Sequence, residues 1–168
     1  PVTTRPQFAR ILDCIGLAKS GGAKLVMGGT RATRPECGEG LFIEPTVFTN
    51  VTNEMEIAQT EVFGPVLSII TFREEEDAWA MANDTPYGLA AGVWTQDQGG
   101  MFRAAKKLRA GLIWTHCYRT VSYMSPFGGF KNSGQGRESG QAAIHEYLET
   151  KAVWIDYGTG PANPFVLR

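Results

Sequence analysis

The sequence predicts an α/β fold, a largely parallel sheet flanked by helices, with an extended strand and arm at the C-terminal end. Three observations carry this expectation. Segments with helical apolar periodicity alternate with short β-rich segments along most of the 168 residues. The most apolar run, Val66-Leu67-Ser68-Ile69-Ile70-Thr71-Phe72, reads as a strand buried on both faces. Apolar residues make up 43% of the chain, enough for a core that needs no disulfide or metal to hold it.

The elements follow in order. Residues 4–19 carry Phe8, Ile11, Leu12 and Ile15 as an amphipathic stripe, opened by Thr4 as N-cap and closed at Gly21-Gly22. Residues 23–27 form a short strand ended by Gly28-Gly29, and a polar, Gly-rich loop follows through Arg34-Pro35 to Gly40. Residues 46–49 read as a strand, residues 55–58 as one or two helical turns, and residues 66–72 as the apolar strand. In residues 74–83 the acids Glu74, Glu75, Glu76 and Asp77 occupy the first turn of a helix, where the helix dipole favours negative charge. Strands at 90–95 and 112–115 flank a helix at 100–108, which carries Lys106 and Lys107 in its last turn, with Arg109 just beyond. Residues 140–147 are helical and residues 152–157 make a final strand, with Trp154 and Asp156 alternating against Val153 and Ile155. Gly158 opens an extended arm. The expected division is 1–150 for the α/β body and 151–168 for the terminal strand and tail.

Charge narrows the function classes. Sixteen basic and seventeen acidic side chains leave a formal charge of −1, which offers neither nucleic acid nor an anionic membrane an electrostatic footprint. No apolar run approaches the roughly 20 residues of a spanning helix. Three widely spaced cysteines, Cys14, Cys37 and Cys117, fit a reducing, cytoplasmic setting better than a disulfide framework. The chain starts Pro1-Val2-Thr3-Thr4, without an initiator Met or a signal segment, and is expected to be part of something longer.

The cysteines are the first nucleophile candidates, and none is convincing. Cys14 sits inside the first helix as a packing residue, and Cys37 follows Glu36, which disfavours a thiolate. Cys117 follows His116, but adjacent side chains on an extended segment point to opposite sides. His116, Cys117 and His145 lack the spacing of a metal site, so no metal is expected. The Gly-rich stretch from Gly128 to Gly140 invites a phosphate-loop reading. Lys131, however, lies between Phe130 and Asn132 rather than in Gly-Lys-Ser/Thr, and the Gly134, Gly136, Gly140 spacing is one residue too long for a dinucleotide fingerprint. A tightly packed loop that uses its glycines for close backbone approach is the plainer reading.

Two segments carry a resemblance. Glu61-Val62-Phe63-Gly64-Pro65 and Pro126-Phe127-Gly128-Gly129-Phe130-Lys131-Asn132-Ser133-Gly134-Gln135-Gly136-Arg137-Glu138 resemble signature segments of the NAD(P)-dependent aldehyde dehydrogenase family. Residues 1–23 resemble the family's stretch just past the nucleophile, and Asn83-Asp84-Thr85-Pro86-Tyr87-Gly88-Leu89-Ala90-Ala91-Gly92 is similar to another family segment. Lys151-Ala152-Val153-Trp154 resembles the closing strand. The likeness covers nearly the whole chain in the right order.

The resemblance implies roughly the last third of such an enzyme, with the dinucleotide-binding domain, general-base glutamate and nucleophilic cysteine all upstream of Pro1. It implies NAD or NADP as cofactor, an aldehyde as substrate, and a homo-oligomer assembled through the terminal strand. Glu61 matches the glutamate that accepts hydrogen bonds from the nicotinamide ribose, for which a carboxylate offers two acceptor oxygens to a vicinal diol. Phe63 matches the phenylalanine packed at the nicotinamide end. Phe127 matches an aromatic at the rim of the substrate tunnel, and Val121 falls in the pocket segment beside it. Glu138 matches a glutamate on a proton path from the general base; a structural salt bridge or a helix cap is the alternative.

The sequence departs from the family pattern at Thr115-His116, where many members carry Val-Asn, and at Ser139, where an apolar residue is common. His116 either alters hydrogen bonding near the site or packs against the Gly-rich loop. Arg119 and Tyr123 lie in the segment that varies with substrate and point to a polar or aromatic aldehyde. Two alternative functions stand beside the oxidising enzyme: a non-catalytic module acting through its sheet edge, and a relative that releases product to another acceptor.

Overall fold

The computed structural model describes residues 1–155, 157 and 158. Helix α1 (Arg5–Ser20) begins where expected: the Thr4 hydroxyl accepts from the Gln7 N–H at 3.3 Å, and Pro6 stands in the first turn. Its apolar stripe, Ile11, Cys14, Ile15 and Ala18, is buried, and the Gly21 N–H closes the helix on the Leu17 carbonyl at 2.8 Å. The stripe packs against strands β1 (Lys24–Met27), β2 (Thr46–Thr49) and β3 (Val66–Ser68), which lie side by side in that order. Strand β2 runs antiparallel to β1 and parallel to β3. With Val51, Ile57 of the short helix α2 (Glu56–Gln59) and Val62, the residues Ile11, Ile15 and Phe48 form the main core. Thr46 is the one polar side chain among the most deeply buried, only 1% exposed, and it is satisfied twice: its hydroxyl donates to the Glu44 carbonyl and accepts from the Gly29 N–H, both at 2.8 Å.

A second layer follows. Helix α3 (Glu75–Asn83) starts with a capping box made by Glu74 and Asp77, as its acidic first turn foretells. Strand β4 (Ala90–Val93), helix α4 (Gln98–Lys107) and strand β5 (Leu112–Thr115) make a β-α-β unit with a parallel ladder from Ala90↔Leu112 to Val93↔Thr115. Two of the three strand pairings are therefore parallel, and they fall in two separate sheets.

Two expectations need correction. The 66–72 run pairs only over Val66–Ser68 and is not buried on both faces; Leu67 is 57% and Phe72 59% exposed. As the edge of a three-stranded sheet, β3 has α1 on one side and no layer on the other among the described residues. The segment at 140–147 forms 3-10 turns over Gln141–Tyr147 rather than an α-helix, opened by Gly140 at φ +61°. Residues 151–155 and 157 form no ladder within this chain, and Trp154 is 94% exposed. A strand exists only with a partner to bond, and within this chain the segment is paired with none of the described strands. Asp156 and the arm beyond Gly158 lie outside the described residues.

Helices α3 and α4 are tied by one exposed ion cluster. Arg103 of α4 grips the Glu75 carboxylate with Nε and Nη2, both at 2.8 Å, and Nη2 also reaches Asp97, the N-cap of α4, at 2.7 Å. The bonds from Arg103 hold both carboxyls below their ordinary values of 4.5 and 3.8. Groups that bind protons less readily when folded add stability above their unfolded values and lose it as pH falls through the lower folded ones. Because the pair is exposed the effect is small. Arg103→Gln is expected to lower the melting temperature by at most a few degrees at about pH 7, and to flatten its decline from about pH 5 to pH 3. Circular-dichroism melts across that range would show it; an unaltered acid limb would remove the cluster from the account.

Candidate functional site

The Glu61-Val62-Phe63-Gly64-Pro65 segment joins α2 to β3 across the end of α1, and α1 grips it by its backbone. Arg10 Nη2 donates to the Glu61 carbonyl at 3.0 Å; Gln7 Nε2 donates to the carbonyls of Val62 and Phe63 at 3.0 and 3.1 Å. Val62 points into the core, and Gly64 sits so close over Ile11 that a Cβ there would lie 2.7 Å from its side chain. Phe63 takes φ +55°, a left-handed conformation costly for a bulky residue, which these bonds hold in place. The Glu61 carboxylate is left exposed, with no side-chain partner among the described residues.

The Gly-rich loop is organised by a different segment, 83–88, far away in sequence. The Gly88 carbonyl accepts from both Gly111 N–H (3.0 Å) and Phe130 N–H (2.8 Å), while the Gly88 N–H donates to Ser133 Oγ at 3.0 Å. Asn132 N–H bonds the Pro86 carbonyl at 3.0 Å. Lys131 Nζ reaches the carbonyls of Asn83 and Thr85 at 2.6 and 3.0 Å. Arg137 turns back on its own loop, bonding the carbonyls of Gly129, Gln135 and Gly136 at 2.8–3.0 Å, with its guanidinium over the Phe130 ring. The two cations of this stretch are thus engaged with backbone oxygens, which supports the packed-loop reading over a phosphate cradle. Nothing in the local sequence signals these partners, because Lys131 and Asn83 are 48 positions apart; the co-occurrence of a Gly-rich loop and an unexplained lysine is the nearest hint.

Beyond the loop the chain doubles back. Phe127 and Glu138 exchange both backbone hydrogen bonds at 2.7 Å in an isolated antiparallel bridge, so their side chains are set by the same contact. They face a cleft of about 810 Å³ whose floor is β4 with Leu89, and whose walls include Glu61, Trp114, Val121 and Ser139. Of the residues singled out in the sequence, Glu61, Val121, Phe127 and Glu138 therefore border one space, although they come from three separate stretches. Phe63 does not line it and is 75% exposed. Glu61 also borders a smaller cleft of about 350 Å³ beside Thr85, Tyr87 and Arg109. The Glu138 carboxylate enters no ion pair among the described residues, and Gly140 rather than Glu138 precedes the following 3-10 turns. An exposed carboxylate with a pinned backbone at the lip of a cleft suits a vicinal diol, as a ribose presents.

The cysteines remain apart from this arrangement. Cys14 and Cys37 are buried in separate places, and Cys117 is exposed. His116 is not extended but left-handed, at φ +54°, with its N–H on the Val93 carbonyl at 3.0 Å. Its ring is exposed rather than packed on the Gly-rich loop.

Comparison with known proteins bears on these features. The family model described as aldehyde dehydrogenase family matches residues 1–153. The rat protein named aldehyde dehydrogenase, cytosolic 1, is 48% identical over 153 residues, covering 91% of this chain and 30% of its own length. Among solved structures, a point variant of Staphylococcus aureus betaine aldehyde dehydrogenase in complex with NAD+ matches at a TM-score of 0.91 and 38% identity, over 99% of this chain and 34% of that one. A Pseudomonas syringae (P. syringae) indole-3-acetaldehyde dehydrogenase variant in complex with NAD+ and IAA matches at 0.83 and 46%, over 90% and 30%. The chain thus spans about a third of the length of the relatives it matches.

The convergence on Gly88 yields a stability test. A Cβ at this position would lie 2.6 Å from the Arg109 carbonyl oxygen and 3.0 Å from Phe130 Cβ. Gly88→Ala is expected to destabilise by about 1–3 kcal/mol, through overpacking against backbone that cannot retreat. Chemical denaturation should register it; a midpoint equal to that of the unmodified protein would mean that the crossing is loose.

Proposed function

The chain belongs to the aldehyde dehydrogenase family, and from that premise we propose that it is the C-terminal catalytic-domain portion of an NAD(P)-dependent aldehyde dehydrogenase. On this reading residues 1–150 complete the catalytic domain, and residues 151–168 form an oligomerisation strand and tail. The observation that carries the reading is the joint exposure of Glu61, Val121, Phe127 and Glu138 to one cleft. Glu61 accepts hydrogen bonds from the ribose hydroxyls next to the nicotinamide, its own backbone fixed by Arg10. Phe63 offers its exposed ring to the nicotinamide end. Phe127 and Val121 supply apolar contact to the aldehyde, and Glu138 passes a proton towards solvent.

When bound, NAD(P)+ supplies the hydride acceptor, so that RCHO + NAD(P)+ + H2O gives RCOO− + NAD(P)H + 2 H+. The attacking thiolate, the base that activates water and the pyrophosphate site come from the part of the enzyme outside these residues. The exposed positions of Val153, Trp154 and Ile155, between 68% and 94%, support a terminal strand that pairs with a second subunit to give a homo-oligomer. The three free cysteines, and the cytosolic relative in rat, support a cytoplasmic location. Among the described residues no helix is long and apolar enough to cross a membrane.

Two measurements test the proposal. In the full-length enzyme, Glu61→Gln removes one charge-assisted acceptor and is expected to weaken cofactor binding or slow hydride transfer by about 10-fold or more, with the melting temperature retained. Steady-state kinetics at varied cofactor that match the unmodified enzyme would remove Glu61 from the role. The 168 residues alone are expected to form no NAD(P)H from any aldehyde, because remote binding energy and a positioned nucleophile are both required. Turnover by this segment alone, abolished by Cys117→Ala, would instead make Cys117 the nucleophile.

A further inference from the structure

The wall of the 810 Å³ cleft opposite in character to Glu61 and Glu138 is made by residues 118–123. Arg119 is the only cationic side chain among the described residues that line the cleft. Its guanidinium forms no hydrogen bond or ion pair among the described residues, so neither Glu61 nor Glu138 lies within ion-pair distance to neutralise it. Arg10, Arg103 and Arg137, by contrast, are all committed to protein oxygens.

The segment that presents Arg119 is held. Trp114 Nε1 donates to the Thr120 carbonyl at 2.8 Å, and the Trp114 and Tyr118 rings meet edge to face at 5.7 Å. Arg119 itself sits at φ +57°, a left-handed conformation that a residue with a Cβ rarely adopts. Beside it, Tyr118, Ser122 and Tyr123 line the same cleft, and the Ser122 hydroxyl accepts from the Met124 N–H at 3.2 Å. A guanidinium with free N–H groups in a fork matches a planar carboxylate; an aromatic ring would leave these donors unpaired.

We propose that Arg119 sets substrate choice, and that the aldehyde this site takes carries a carboxylate at the end remote from the carbonyl. The inference rests on the aldehyde-oxidising function proposed above and names its substrate class. Burying the distal carboxylate against Arg119 fixes the substrate's orientation, while Phe127 and Val121 cover its apolar middle.

The test compares, in the full-length enzyme, an aliphatic aldehyde ending in a carboxylate with the same aldehyde ending in the neutral amide, and with benzaldehyde. The carboxylate is expected to exceed both in kcat/KM by about 10-fold or more, mainly through KM. Arg119→Gln should bring the acid-to-amide ratio close to one, and Arg119→Lys, which keeps the charge but loses the fork, should restore part of it. A ratio near one in the unmodified enzyme, a preference for benzaldehyde, or a ratio that survives Arg119→Gln overturns the assignment while leaving aldehyde oxidation standing. Failure to oxidise any aldehyde overturns the functional reading and this inference with it.

Discussion

One carbonyl organises half of this molecule. The Gly88 oxygen receives two N–H donors, one from the residue that starts the approach to β5 and one from the Gly-rich loop. Its own N–H is taken by Ser133. Two segments, the approach to β5 and the Gly-rich loop, therefore meet within hydrogen-bonding distance of a single residue, and they can do so because that residue has no side chain. The β4–β5 ladder continues from this crossing, and the return of the chain that pairs Phe127 with Glu138 starts from its other side. The floor and one wall of the cleft share that origin.

A common device supports both halves of the site. Long polar side chains are spent on main-chain carbonyls: Gln7 and Arg10 on the 61–63 turn, Lys131 on 83 and 85, Arg137 on its own loop. A cation bound to carbonyl oxygens fixes backbone without bringing a carboxylate into the neighbourhood, and it satisfies groups that irregular loops would otherwise leave unpaired. The carboxylates of Glu61 and Glu138 are left available as a result. The same device explains why the lysine of the Gly-rich loop is not a phosphate ligand: its ammonium already has partners.

The division of charge in the cleft follows from which segments supply its walls. The turn after α2 and the chain leaving the Gly-rich loop contribute acidic residues, whereas the loop after β5 contributes Arg119. These stretches have no common periodicity and no local signal that relates them. The parallel β4–β5 ladder sets the start of the loop after β5 beside the end of β4, where the His116 N–H meets the Val93 carbonyl.

What the sequence determined by itself was local. The strands at 46–49 and 112–115, the N-cap at Thr4 and the acidic start of α3 are legible because alternation, capping and dipole effects act within a few residues. The ordered segments around Glu61 and Glu138 likewise sufficed to name the family, because short motifs keep their chemistry wherever they are read. Tertiary structure decided the rest. Apolarity at Leu67 and Phe72 signalled burial, but burial requires a second layer, and β3 ends as an edge with one open face. The β-rich residues at 151–155 have strand propensity without a ladder, because a strand's hydrogen bonds belong to its neighbour and not to itself. Phe63 shares a motif with Glu61 yet does not line the cleft, and its left-handed backbone is set by bonds from α1 that the motif itself does not encode.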